Sequence, residues 1–188
     1  MVAEAVLKGA LFVSGLGAVL GVYGLWLWGR SQRTKVSLAA TARAAWDDCA
    51  PESARLLVEI DDDLAVSADP EKLEGLFEAM FENSIEYAGR DVTVRLSRTA
   101  DGFAVDDDGP GVPAGERERI FDPGYSTRAD RAGMGLVLVR TLCQAYGWDV
   151  AVTDGEEGAR FVVSNVRFYS SWEGGTDAAG EPAGGASA

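Results

Sequence analysis

Along the chain the spacing of apolar residues changes several times, and each spacing predicts a different element. Residues 9–29 carry no charge and are dominated by Leu, Val, Gly, Ala and aromatic side chains. As a helix this run would span about 31 Å, enough for a hydrocarbon layer of roughly 30 Å. Tyr23, Trp26 and Trp28 cluster at its end, and Arg30, Arg33 and Lys35 follow directly. Aromatic rings favour the membrane interface and basic flanks face the cytoplasm. The pattern predicts a single-pass anchor with residues 1–8 outside and everything after it in the cytoplasm. A cleaved leader fits less well, because the run is too long and its positive charge lies on the wrong flank. Gly17 and Gly21 have the spacing that brings two membrane helices together as a homodimer, although glycine is common in such helices anyway.

Beyond a linker at 30–36 the periods are those of a globular domain over 37–168. Val36, Leu38, Ala39, Ala42, Ala45 and Trp46 recur at helical spacing and predict a helix over 31–46, ended by Pro51. Residues 55–60 and 64–68 read as strands, with Asp61-Asp62-Asp63 as the turn. Asp69 as N-cap and Pro70 at the first helical position start a helix that should stop before Gly89. Residues 91–98 alternate, with Val92, Val94 and Leu96 on one face, and Ala100-Asp101-Gly102 turns the chain into a strand over 103–107. A short helix is expected around 114–120, then an irregular stretch, then a helix over 133–146 capped by Gly147. Residues 148–153 and 159–166 form a last hairpin across Asp154-Gly155. The tail, 169–188, turns to Gly, Ala, Ser, Asp and Glu and is expected to be disordered. This order predicts an α+β domain, a two-layer α/β sandwich with one mixed sheet covered on one face by helices and preceded by one transmembrane helix.

Composition narrows the function. The formal net charge is −13, and 14 Arg stand against Lys8, Lys35 and Lys72. With no basic patch to neutralise phosphates, nucleic acid is excluded as a partner. Acidic excess with little lysine also fits a salt-adapted, haloarchaeal-like proteome. Cys49 and Cys143 lack metal spacing and read as buried, reduced thiols. The chain contains no histidine.

Three places carry candidate chemistry. Leu73, Leu76, Phe77, Met80, Ser84 and Tyr87 form the apolar stripe of the 70–87 helix, and Asn83 sits on its edge. A partly buried amide there is either a structural hydrogen-bonder or an oxygen ligand for Mg²⁺. Glu74, Glu78 and Glu82 form a separate row, read as a solvated acidic face. In the strand over 103–107, alternation turns Asp107 inward with Phe103 and Val105 while Asp106 and Asp108 point away. An inward carboxylate must accept hydrogen bonds, and the exocyclic amine of adenine would suit it, with Gly109 and Gly111 letting backbone approach a flat base. The other reading is a surface Asp-Gly turn. Finally, Gly133-Met134-Gly135-Leu136 opens a helix whose free N–H groups suit phosphate.

Taken in order, FENSIEYA (81–88), DDDGPGVP (106–113), RIFDPGYSTR (119–128), GMGLVLV (133–139) and GW followed by GARFVV (147–163) resemble the ATP-binding catalytic domain of sensor histidine kinases. That domain lies within the gyrase, Hsp90, histidine kinase and MutL (GHKL) ATPase superfamily. The resemblance implies ATP and Mg²⁺ as cofactors. It implies that Asn83 holds the metal, that Tyr87 lies near the phosphates, and that Asp107, with Gly109 and Gly111, binds adenine. Phe121 would anchor a lid over about 112–132, and Gly133, Met134, Gly135 and Leu136 would contact phosphate. From their charge rather than from the resemblance, Arg128 and Arg131 in the lid are expected to complement the triphosphate. Departures stand beside it. The linker at 30–36 leaves no room for the two-helix hairpin that carries the phosphoacceptor histidine, so the acceptor is expected on a separate protein or response regulator. Ala79 stands one turn before Asn83, where kinases often have Asn and ATPases a catalytic Glu. Glu86 replaces a frequent Lys, and Arg131 a frequent Gly. No catalytic residue is assigned. A kinase acting in trans, a nucleotide-binding pseudokinase, and a serine-kinase or anti-sigma-like member are the readings to separate.

Overall fold

The computed structural model describes residues 32–125 and 133–170. The apolar run at 9–29, the segment holding Arg128 and Arg131, and the tail from 171 onward lie outside the described residues. Among the described residues no helix is long and apolar enough to cross a membrane.

The stretch expected as one helix over 31–46 is a strand followed by a helix. Strand β1 covers Thr34–Ser37 and helix α1 covers Leu38–Cys49. Ser37 makes the division: its Oγ accepts the Ala40 N–H at 3.2 Å as an N-cap, while Val36 pairs with Val66 of strand β3, Leu64–Ala68. The expected linker therefore carries part of the domain.

Strand β2, Arg55–Glu59, and β3 flank the three-aspartate turn as expected, but they enter different sheets. With β4 (Thr93–Arg98), β5 (Phe103–Asp107), β6 (Asp149–Asp154) and β7 (Ala159–Ser164), β2 forms a five-stranded sheet ordered β2-β4-β5-β7-β6. Only the β2–β4 pair is parallel. The second sheet is ordered β1-β3-β8, where β8 is Phe168–Ser170. One mixed sheet is thus corrected to two, and the start of the expected disordered tail is a strand paired with β3. The short helix expected around 114–120 is only a 3-10 turn at Arg119–Phe121, which buries Phe121.

Helix α2, Pro70–Ala88, lies between α1 and α3, Gly135–Tyr146, and the three cover the inner face of the larger sheet. Leu73, Leu76, Phe77, Met80 and Ser84 of its predicted stripe are fully buried, whereas Tyr87 is 39% exposed. Each large apolar side chain buried here contributes about 1.5–3 kcal/mol. Trp46 meets Phe81 edge-on at 5.2 Å, Phe81 stacks on Phe77, and Phe77 reaches Phe103 at 5.8 Å. The opposite face of the sheet is polar, with Arg95 against Glu59 and Arg160 against Asp106. Cys143 is buried, Cys49 half-buried, and burial pushes both thiols up to about 12. The acidic row on α2 is not uniformly solvated: Glu82 is exposed, but Glu74 and Glu78 are half-buried and gather with Asp48, carboxylate oxygens within 4.8 Å.

Asp69 sits at the N-cap of α2, yet its side chain makes no capping bond. Its Oδ2 accepts the Gln32 N–H at 3.1 Å, and its own N–H donates to the Tyr146 hydroxyl. Arg33 stacks over the Tyr146 ring at 5.0 Å and donates to the Ala145 carbonyl, a cation placed at the negative end of α3.

Candidate functional site

Asp107 ends β5 on its inner face, 9% exposed. Its Oδ1 accepts two backbone N–H bonds, from Gly109 at 3.0 Å and Ala159 at 3.1 Å. Its Oδ2 accepts the Ser84 hydroxyl at 3.1 Å. An ionised carboxylate offers about four acceptor positions, so these bonds leave one, on Oδ2. Burial pushes the carboxyl above the usual aspartate range, and the Ala159 and Gly109 amides and the Ser84 hydroxyl pull it back. The surface-turn reading is excluded by this burial: the next residue, Asp108, is the exposed one and caps the Thr93 N–H.

Close backbone approach explains the glycines. A methyl on Gly158 would lie 2.3 Å from the Asp107 carbonyl oxygen and 2.6 Å from the Gly109 nitrogen. One on Gly109 would meet the Ala88 methyl at 2.6 Å, so the loop also packs against the end of α2. Gly111 has φ +73°, the left-handed region.

Along α2, Asn83 is half-buried beside Ser84, and Tyr87 stands exposed one turn further. Its amide oxygen is a hard donor of the kind Mg²⁺ takes, and the half-exposed position leaves room for the waters that ion keeps. At the other wall, Gly135 begins α3 against the Ala79 carbonyl, 3.9 Å from where its Cβ would be. Met134 at the N-cap supplies no side-chain cap, so the first-turn N–H groups can accept an anion. Leu136 is half-buried against the core, and Gly133 has φ +59° and leaves no room for a Cβ, which would strike the Tyr125 carbonyl. That contact brings together the two ends of the segment containing Arg128. Tyr125 lies under the Arg119 guanidinium at 5.0 Å, and its hydrogen bond with Glu116 raises its phenol. Helix α2 thus links Asp107, through Ser84, to Asn83 and, through Ala79, to the opening of α3.

An open groove of 390 Å³ lies on the other flank of the Asp107 loop, between Gly111–Arg117 and the β6–β7 turn. Gly158 borders it, whereas Asn83, Asp107 and the opening of α3 do not. Arg117 spans it, pairing with Asp154 and donating to the Val112 carbonyl.

Two residues against Asp107 have no part in the site as the sequence reads: Ser84, which donates to it, and Gly158, which packs on it. Ser84 reads as an ordinary stripe residue; a hydroxyl on an otherwise apolar face was the available signal. Gly158 lay inside a quoted box, but its partner on β5 is remote in sequence.

The profile described as histidine kinase-, DNA gyrase B-, and HSP90-like ATPase matches residues 68–169. The chain belongs to this ATPase family. Within it, the sensor histidine kinase CpxA of Escherichia coli (strain K12) is 36% identical over 104 residues, 50% of this chain and 23% of that protein. The C4-dicarboxylate transport sensor protein DctB of Rhizobium meliloti is 31% identical over 50% of this chain and 16% of its own length. The chain therefore spans about a fifth of the length of the curated relatives it matches. Among solved structures, the catalytic domain of histidine kinase ThkA superposes with TM-score 0.61 at 20% identity, covering 70% of this chain and 93% of that one. The mycobacterial sensor histidine kinase MprB gives 0.60 at 19% identity, covering 72% and 99%. These likenesses show the GHKL-type fold, helices over a mixed sheet.

Proposed function

We propose that this chain is a membrane-anchored, histidine-kinase-type ATPase domain that binds Mg·ATP and transfers the γ-phosphoryl group to a histidine on a separate protein. The observation that carries the reading is the Asp107 carboxylate, buried with three donors and one acceptor position left for an adenine amine. Gly109 and Gly111 let the base lie against backbone. The Asn83 amide would hold the metal, which would neutralise phosphate charge. Gly133, Met134, Gly135 and Leu136 would hold phosphate through first-turn N–H groups, Tyr87 would lie near them, Phe121 would anchor the lid, and Arg128 would add positive charge. Phosphoryl transfer depends mostly on positioning and electrostatics, so a lean site suffices once the nucleophile is supplied from outside. The lack of histidine in residues 1–188 supports an acceptor on a separate protein. The partner is a separate phosphoacceptor protein or a response regulator. An anchor at 9–29 would put the domain on the cytoplasmic side of the cell membrane, and Gly17 and Gly21 would offer a homodimer contact. The acidic, lysine-poor surface suits a salt-adapted cell.

Ala79 and Glu86 support a second reading, a nucleotide-binding pseudokinase that acts as an interaction module. Ala79, buried against the start of α3, offers no base. Fluorescent-ATP binding at high salt with Mg²⁺ tests both readings, since no binding by the native chain sinks them together. Asn83→Ala should abolish the Mg²⁺ dependence of that binding. Transfer of labelled γ-phosphate to a hairpin protein selects the kinase over the pseudokinase.

A further inference from the structure

Ser84 is fully buried, and its single hydroxyl proton is committed to Asp107 Oδ2 rather than to a carbonyl of its own helix. With Oδ1 filled by the Gly109 and Ala159 amides, this bond decides which acceptor position the carboxylate still presents. We propose that Ser84 is a positioning residue that makes the Asp107 pocket selective for a purine bearing a 6-amino group. The inference rests on the nucleotide reading above and refines it.

The hydroxyl fixes the carboxylate from α2, while the two amides fix it from the loop and from β7, so the plane of the group is set by three separate elements. A 6-amino group brings an N–H to the remaining position. A 6-oxo group brings a lone pair to a lone pair and is rejected. With alanine at 84, Oδ2 has two open positions, no donor holds the carboxylate from the helix side, and water can enter to bridge a 6-oxo base. Ser84 also adjoins Asn83, so one turn of α2 would fix both the base acceptor and the metal ligand.

The test uses the full chain in lipid nanodiscs with Mg²⁺, displacing a fluorescent ATP analogue with ATP or with inosine triphosphate. Native protein, Ser84→Ala and Ser84→Cys are compared, with thermal melting of each. Losing a hydrogen bond to a charged group should lower the preference for ATP over inosine triphosphate about tenfold in Ser84→Ala. Cysteine, close in size and a weak donor, should fall between alanine and serine. A preference unchanged in both variants overturns the proposal, whatever happens to melting. Should the alanine variant fail to fold, the cysteine variant alone decides by the same criterion. A native chain that binds neither nucleotide overturns the nucleotide reading and this inference with it; binding with unchanged preference overturns the inference alone.

Discussion

Replacing Asp107 by asparagine separates the charge of that side chain from its shape. The amide oxygen can keep accepting from Gly109 and Ala159, and the amide nitrogen, in the place of Oδ2, can donate to the Ser84 oxygen. The two amides keep their acceptor, the Ser84 proton is free to turn to a carbonyl of its own helix, and a desolvated charge is removed, so Asp107→Asn should fold and melt close to the native chain. Toward adenine the change is opposite: the free position now presents a donor to a donor. Losing one charge-assisted bond costs about 1.5–3 kcal/mol, or roughly 10- to 150-fold in Kd. Isothermal titration with Mg·ATP at high salt measures it. The pH dependence supplies a second check. Burial raises the Asp107 carboxyl, so its contribution to folding stability is present at low pH and is lost as pH rises through its folded-state value. Affinity for adenine runs the other way, falling as pH drops through that value and the acceptor becomes protonated. The asparagine variant should lose both trends. Native-like ATP affinity in Asp107→Asn, or an affinity that follows the same pH curve in both proteins, would refute the assignment.

Other outcomes follow from the same geometry. Gly158→Ala places a methyl 2.3 Å from the Asp107 carbonyl and should lower stability by about 1–3 kcal/mol, read by thermal melting, with ATP affinity lost in parallel. Phe77→Ala opens a void between Phe81 and Phe103 and should cost about 3–5 kcal/mol in urea titration. Both thiols, pushed up to about 12, should react slowly with iodoacetamide at pH 8 in the folded protein and quickly in denaturant.

Local chemistry made much of this legible in the chain. Proline at 70 and glycines at 89 and 147 bound their helices where expected, because each acts through its own backbone. Alternation along 103–107 turned Asp107 inward, which the structure bears out. What stayed hidden was pairing. Nothing local distinguishes β2 from β3 as members of different sheets, since their partners, β4 and β1, lie on opposite sides of them in sequence. Thr34–Ser37 reads as helix because Val36, one apolar residue, satisfies either period; its partner Val66 decides. Asp69 has the right residue for a cap, but Gln32 takes its carboxylate. Ser84 and Gly158 became visible as site residues only when α2 and β7 were brought to β5.

Of the three donors that hold Asp107, one is the local Gly109 amide, and the other two come from 23 residues before it and 52 residues after it in the chain. Sheet order adds a constraint of timing. β7 lies between β5 and β6, so the β6–β7 hairpin joins the sheet only through the pairing of β7 with β5. Before that docking the carboxylate lacks the Ala159 amide and must remain hydrated, since an unpaired buried charge is costly. Closure of the sheet and drying of Asp107 are therefore one event. A chain that has not placed its last hairpin has β5 as an open sheet edge and a carboxylate still in water, and it cannot present the single acceptor that the finished fold holds out.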